Sequence, residues 1–242
     1  MHRKYLLITM VCFATVLFAG CSKSEHENKD SIGVTLPVTY NFDFEESEED
    51  FEAIFSDYHD DGNNYETYEM KSDYTTIPVK DISSKGLYIA SHNRSDDIFM
   101  GYVKEITGLS KDQSYTFDIS FKLATNVEAG GFGIGGSPGA AVYIKAGVVS
   151  EKPEMEKDDV GVLRFTNIDT GSQASGGEDL LHLGNIEKPE ENWVEGYMFK
   201  SFSTSVTATT NSNGSVYLII GSDSGFEGLT EYYIDDVSIT IQ

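Results

Sequence analysis

Tyr58, Tyr65, Tyr68 and Tyr74 fall in one short run, interleaved with acidic and amide side chains. That mixture suits a sugar, whose C–H face lies on an aromatic ring while its hydroxyls need polar partners. Tyrosines are also good strand formers, so the same run reads equally as β-structure. Trp193, the single tryptophan, is a further candidate ring, although a Trp leading into a core strand commonly packs at a sandwich edge. Near the end of the chain, period-2 counting through Val237, Ile239 and Ile241 places Tyr233 and Asp235 on the apolar side of a closing strand. A carboxylate there must meet a cation, a metal or several N–H donors, because an unpaired buried charge is costly.

Other constellations carry less chemistry. The loop Asp57-Tyr58-His59-Asp60-Asp61-Gly62-Asn63-Asn64 is rich in oxygen ligands but lacks the Glu spacing of an EF-hand loop, and it reads as a solvated turn. Asn167, Asp169, Glu178 and Asp179 read as surface loop residues. Gly131-Phe132-Gly133-Ile134-Gly135-Gly136 matches a dinucleotide fingerprint by letter only, since Ser137-Pro138-Gly139 follows where a helix N-terminus would have to bind pyrophosphate. His26, His59, His92 and His182 are scattered without metal-ligand spacing, and no Gly-x-Ser-x-Gly elbow occurs. A non-catalytic role follows, with a glycoside hydrolase or lyase as the alternative that forty acidic residues keep open.

The elements that must position these residues are strands. Tyr115, Phe117, Ile119, Phe121 and Leu123 alternate with polar residues, as a strand with one wet face requires. Phe202 to Ile220 reads as a hairpin turning at Asn213-Gly214, and Tyr232 to Ile241 as the closing strand. A short helix is predicted near Ser47, with Ser47 as N-cap and Phe51, Ile54 and Phe55 on one face. Residues 37–242 are therefore expected to form an all-β, two-sheet antiparallel sandwich, with residues 126–191 as a loop-rich, Gly-containing insertion.

The N-terminus carries an address. Met1-His2-Arg3-Lys4 supplies positive charge, and the apolar run from Tyr5 to Phe18 is too short to span a bilayer. Leu17-Phe18-Ala19-Gly20-Cys21 resembles the lipobox of bacterial lipoproteins, with Phe18 where Leu is usual. The resemblance implies a signal peptide over residues 1–20 and acylation of Cys21, palmitate included, which would fix the protein to the extracytoplasmic side of a membrane. An ordinary secretory signal and an uncleaved anchor are the other readings. Residues 21–36 have no periodicity and read as a disordered tether with a reach of about 20 Å. The only other cysteine, Cys12, lies inside the leader, so no disulfide is available to the sandwich. A formal charge of −23 disfavours nucleic acid and anionic head groups and favours cationic partners.

Four segments resemble the jelly-roll carbohydrate-binding modules of the galactose-binding-like type. They are Asn41-Phe42-Asp43-Phe44-Glu45-Glu46, Gly86-Leu87-Tyr88-Ile89-Ala90-Ser91, Leu109 to Phe117, and Tyr232-Tyr233-Ile234-Asp235-Asp236-Val237-Ser238-Ile239. The resemblance implies a jelly-roll-like sandwich, glycan binding, and a structural Ca²⁺ held by Glu45 with Asp235 or Asp236. It lapses across the Gly-rich middle. The expected partner is a glycan, or alternatively an envelope protein for which the domain is an assembly module.

Overall fold

Two antiparallel sheets carry the fold. The computed structural model describes residues 35–94, 97–189 and 194–242, so the leader, Cys21, most of the tether and Trp193 lie outside the described residues. In chain order the strands are β1 (Val38–Phe42), β2 (Glu52–Ser56), β3 (Tyr58–His59), β4 (Lys71–Thr76), β5 (Lys85–His92), β6 (Ile98–Ile106) and β7 (Ser114–Thr125). They continue as β8 (Val142–Val149), β9 (Met155–Lys157), β10 (Val162–Phe165), β11 (Leu181–Asn185), β12 (Met198–Thr209), β13 (Val216–Ser224) and β14 (Leu229–Ile241). One helical turn, α1 (Asn64–Thr67), interrupts them.

The first sheet runs β12-β7-β14-β5-β4, with β1 continuing the edge of β14 beyond β5; the second runs β11-β8-β13-β6-β2. From β5 to β8, and again from β12 to β14, successive strands alternate between the sheets. The architecture is thus an all-β, jelly-roll-like sandwich. Its core forms because each inner face presents every second residue. Phe117, Ile119, Phe121 and Leu123 of β7 share one buried cluster with Ile144 and Ala146 of β8 and Leu218 and Ile220 of β13. Tyr232 is fully buried in that cluster, and its hydroxyl lies 3.1 Å from both the Met100 carbonyl and Ser222 Oγ across the sandwich.

A small sheet, β3-β10-β9, and the strap that follows it over residues 166–180 bring a second apolar cluster to the outside of the second sheet. There Leu180, Phe165 and Ile168 pack with Phe99, Val103, Val149 and Ile219. Part of one outer sheet face is therefore covered by its own chain.

Several expectations are corrected. No helix begins at Ser47; its hydroxyl accepts the Glu49 N–H at 3.2 Å and the chain enters β2. Phe55 faces the main core and Ile54 the second cluster, so both sides of β2 are apolar and the strand period is erased. β12 and β13 are strands, but they belong to different sheets and do not form a hairpin. Gly214, at φ 77°, turns an arch between the sheets, and the Asn211 side chain fixes it by accepting the Asn213 and Ser215 N–H groups. The Gly-rich middle contributes β8, a strand paired on both sides within the second sheet. Finally, the β7–β14 register shifts between Asp235 and Ser238 with Asp236 at φ 47°. This bulge reverses the parity of β14, so Tyr233 faces outward.

Candidate functional site

The reversed parity creates an aromatic cluster on the outer face of the first sheet. Glu231 and Tyr233 lie on the same side of β14, two residues apart, and Tyr88 of β5 is the cross-strand partner of Tyr233. Leu87 and Ile89 bury themselves in the core, which leaves Tyr88 no choice but the outside. Tyr197 joins them from the segment leading into β12, pinned by a bridge to Val79. The Tyr88 and Tyr233 rings are 5.0 Å apart and tilted, and Tyr197 meets Tyr233 edge-on at 5.4 Å.

Both neighbouring phenols serve one carboxylate. Tyr88 donates to Glu231 Oε2 and Tyr197 to Oε1, each at 2.8 Å. Burial, and then the Glu231 carboxylate, push both phenols above their ordinary values, so they remain donors. Beside Tyr197 runs a groove of about 770 Å³ between residues 79–82 and 194–199, with Ile82 and Val194 exposed along it. Phe199 continues the ring surface, with Lys122 Nζ 5.6 Å from its centroid. Half-buried rings beside a hydrogen-bonding carboxylate and an open groove can hold a polar ligand with an apolar face.

The outer face of the second sheet holds a different polar cluster, sealed beneath the strap. Lys145 Nζ lies 2.7 Å from Asp223 Oδ2, and both side chains are buried. The same ammonium donates to the Thr170 carbonyl at 2.7 Å, and Asp223 Oδ2 accepts the Gln173 N–H at 2.9 Å. Asp97 adjoins Asp223; burial, and then the hydrogen bond and charge of Asp223, push its carboxyl up to about 8. Asp57 is raised as well, chiefly by burial, and pairs with Arg164 at 2.9 Å. Strap and sheet are thereby fastened together.

The aromatic run is dispersed rather than assembled. Tyr58 and Tyr68 are buried in the main core, their rings 5.4 Å apart, and the Tyr68 hydroxyl accepts the His59 N–H at 2.9 Å. Tyr74 is half-buried and donates to the Phe44 carbonyl at 2.6 Å. Tyr65 stands 70% exposed, edge-on to Phe55. Trp193 lies outside the described residues. Sequence reasoning missed Tyr88, Tyr197, Tyr233 and Glu231; the signal for Tyr88 is its place between two core residues, whereas Tyr233 is masked by the bulge.

Glu45, Asp235 and Asp236 do not fit the implied Ca²⁺ site. Asp236 pairs with Lys122 at 2.6 Å, and Glu45 is exposed, offering its backbone carbonyl to Lys85 at 3.0 Å. Asp235 is buried, and burial pushes its carboxyl up to about 6 while the Asp236 N–H donates to its Oδ1 at 2.8 Å. Among the described residues, no group of three or more carboxylate, imidazole or thiol side chains converges on a metal position.

No family model and no curated protein matches this chain. Solved structures do resemble it. The CBM27-1 module of Caldicellulosiruptor saccharolyticus, in complex with mannohexaose, shares 9% identity at a TM-score of 0.42 over 83% of this chain and 96% of that one. The CBM22-1-CBM22-2 tandem domain of Paenibacillus barcinonensis Xyn10C shares 17% at 0.41, over 84% of this chain and 50% of that one. The enzymatically active domain of bacteriophage CBA120 tailspike protein 4 shares 10% at 0.36; 78% of this chain is covered and 19% of that one. Likenesses this distant assign no ligand and no residue role.

Proposed function

We propose that this chain is a lipid-anchored, extracytoplasmic, non-catalytic binding protein that recognises a glycan on the outer face of its first sheet. The observation that carries the reading is the Tyr88, Tyr233 and Tyr197 cluster around Glu231 beside the groove. Rings accept the C–H face of a pyranose, Glu231 and the phenols serve its hydroxyls, and the groove gives neighbouring residues of a chain a path. On the outer face of the second sheet the strap packs over Phe99, Val149 and Ile219, whereas the three rings of the first sheet stand half-exposed. The leader over residues 1–20, with Cys21 directly after it, supports the anchor and the location.

Glycan-array binding by the full chain tests the reading. Tyr233→Ala and Tyr197→Ala should lower binding at least tenfold, while Tyr65→Ala should leave it unchanged. Loss on Tyr65→Ala instead would move the site to the α1 region. Cys21→Ser should release the protein from the membrane fraction and abolish incorporation of labelled palmitate.

A second reading, an assembly module of the envelope, is favoured by one observation. Phe132 is 100% exposed and Ile134 71% exposed on the Gly-rich loop, an apolar tip that a protein partner would cover. Silence across the array together with a cross-link from residue 132 to one envelope protein would establish it.

A further inference from the structure

The charge state of the aromatic cluster narrows its ligand, and this step rests on the glycan reading above. Glu231 is half-buried and forms no ion pair with any lysine, arginine or histidine among the described residues. Its two oxygens are held by phenol O–H groups, which orient the carboxylate but leave its charge in place. The Lys122 ammonium, beside the Phe199 ring, is committed to Asp236, and Lys71, in register with Glu231 through Ala90, stands exposed in solvent two strands away. Along the groove Asp81 and Glu195 outnumber Lys80.

Three electron-rich rings flank that unneutralised charge. An aromatic face attracts a cation through its quadrupole, and more strongly as water is excluded. A carboxylate held in a ring cluster, in a chain of formal charge −23, selects an ammonium over a neutral or anionic group. A neutral hydroxyl would leave the Glu231 charge partly buried without a counter-ion.

We propose that the Glu231, Tyr88, Tyr197 and Tyr233 cluster binds a cationic saccharide, an amino sugar whose ammonium group sits against Glu231 and the tyrosine rings. The acetylated form of the same sugar lacks the charge and is discriminated against, and anionic glycans are rejected.

Calorimetric titration of the full chain in detergent tests this with three probes: a β-1,4-linked glucosamine tetramer, its fully N-acetylated counterpart, and tetramethylammonium. The glucosamine tetramer should bind at least tenfold tighter than the acetylated one, and Glu231→Gln should erase the difference. Glu231→Gln keeps an acceptor for one phenol; if it nevertheless unfolds, the comparison of probes on the wild-type chain decides alone. Equal affinity for the two tetramers overturns the cationic preference and leaves the glycan reading standing. Tetramethylammonium binding that depends on Glu231, with neither tetramer bound, overturns the glycan reading and the saccharide part of this proposal, but retains the cation site. Preference for the acetylated tetramer, or indifference of all three probes to Glu231→Gln, overturns the proposal.

Discussion

Lys145 of β8 and Asp223 of β13 form a 2.7 Å salt bridge to which neither side chain admits solvent. The pair also holds the strap, because Lys145 donates to Thr170 and Asp223 accepts from Gln173. Removing one partner strands the other charge in a low-dielectric site, which costs about 3–5 kcal/mol. Lys145→Met should therefore lower the urea midpoint strongly, and Lys145→Met combined with Asp223→Leu should recover most of the loss. A single-variant cost under about 1 kcal/mol, the range of an exposed pair, would mean that the strap does not seal this site in solution.

Asp97 makes stability depend on pH. Its carboxyl is pushed from 3.8 up to about 8, so between those values the folded chain holds a proton that the unfolded chain has released. Stability from this group is complete below about pH 4, falls as pH rises through the window, and levels off above about 8. Asp235, raised to about 6, adds a loss of the same sign between about pH 4 and 6. Asp97→Asn keeps a donor toward the Asp223 carboxylate while removing the titrating group. Melting temperatures at pH 5, 7 and 9 should fall for the wild type and fall less for Asp97→Asn; parallel curves would refute the shared proton.

The strands with one wet face were legible, since β7 buries Phe117, Ile119, Phe121 and Leu123 as their alternation demands. Where both faces are buried the period vanishes, and Phe51, Ile54 and Phe55 imitate a helix. Asn213-Gly214 announces a turn but not which sheets it joins, because an arch and a hairpin use the same residues. At the site, the Asp235 bulge was decisive: one extra residue in β14 turned Tyr233 from core to surface. Burial of Tyr58, in β3, and Tyr68, at the end of α1, was invisible for a different reason, since a phenol ring with a polar tip suits an interior or a surface position equally well.

Calcium and chelator should leave the melting temperature unchanged. A site saturated a hundredfold above its Kd adds about 2.7 kcal/mol, a rise of roughly 5–11 °C in a domain of this size. Lys122 occupies Asp236, and among the described residues no three carboxylate, imidazole or thiol side chains converge beside Asp235, so neither is set in a cage for a hard cation. A Ca²⁺-dependent rise of that size, lost in Asp235→Asn, would show that the bulge rearranges around a metal.

Gly147 tests how closely the strap is seated. It lies on the outer face of β8 between the core residues Ala146 and Val148, and a Cβ there would come within 1.9 Å of the Asp179 carbonyl oxygen. Backbone occupies that position, so no rotamer change relieves the clash. Gly147→Ala must push the strap outward, at a cost on the order of 1–3 kcal/mol for overpacking. Lifting it separates Leu180 from Val149 and Ile219 and pulls Gln173 from Asp223, whereas the main core keeps all its partners. Limited proteolysis should accordingly cut Gly147→Ala within residues 166–180 faster than wild type, leaving a folded two-sheet remainder with unchanged affinity at the Glu231 cluster. Cutting elsewhere, or a matching loss of ligand binding, would mean that the two outer faces of the sandwich are coupled.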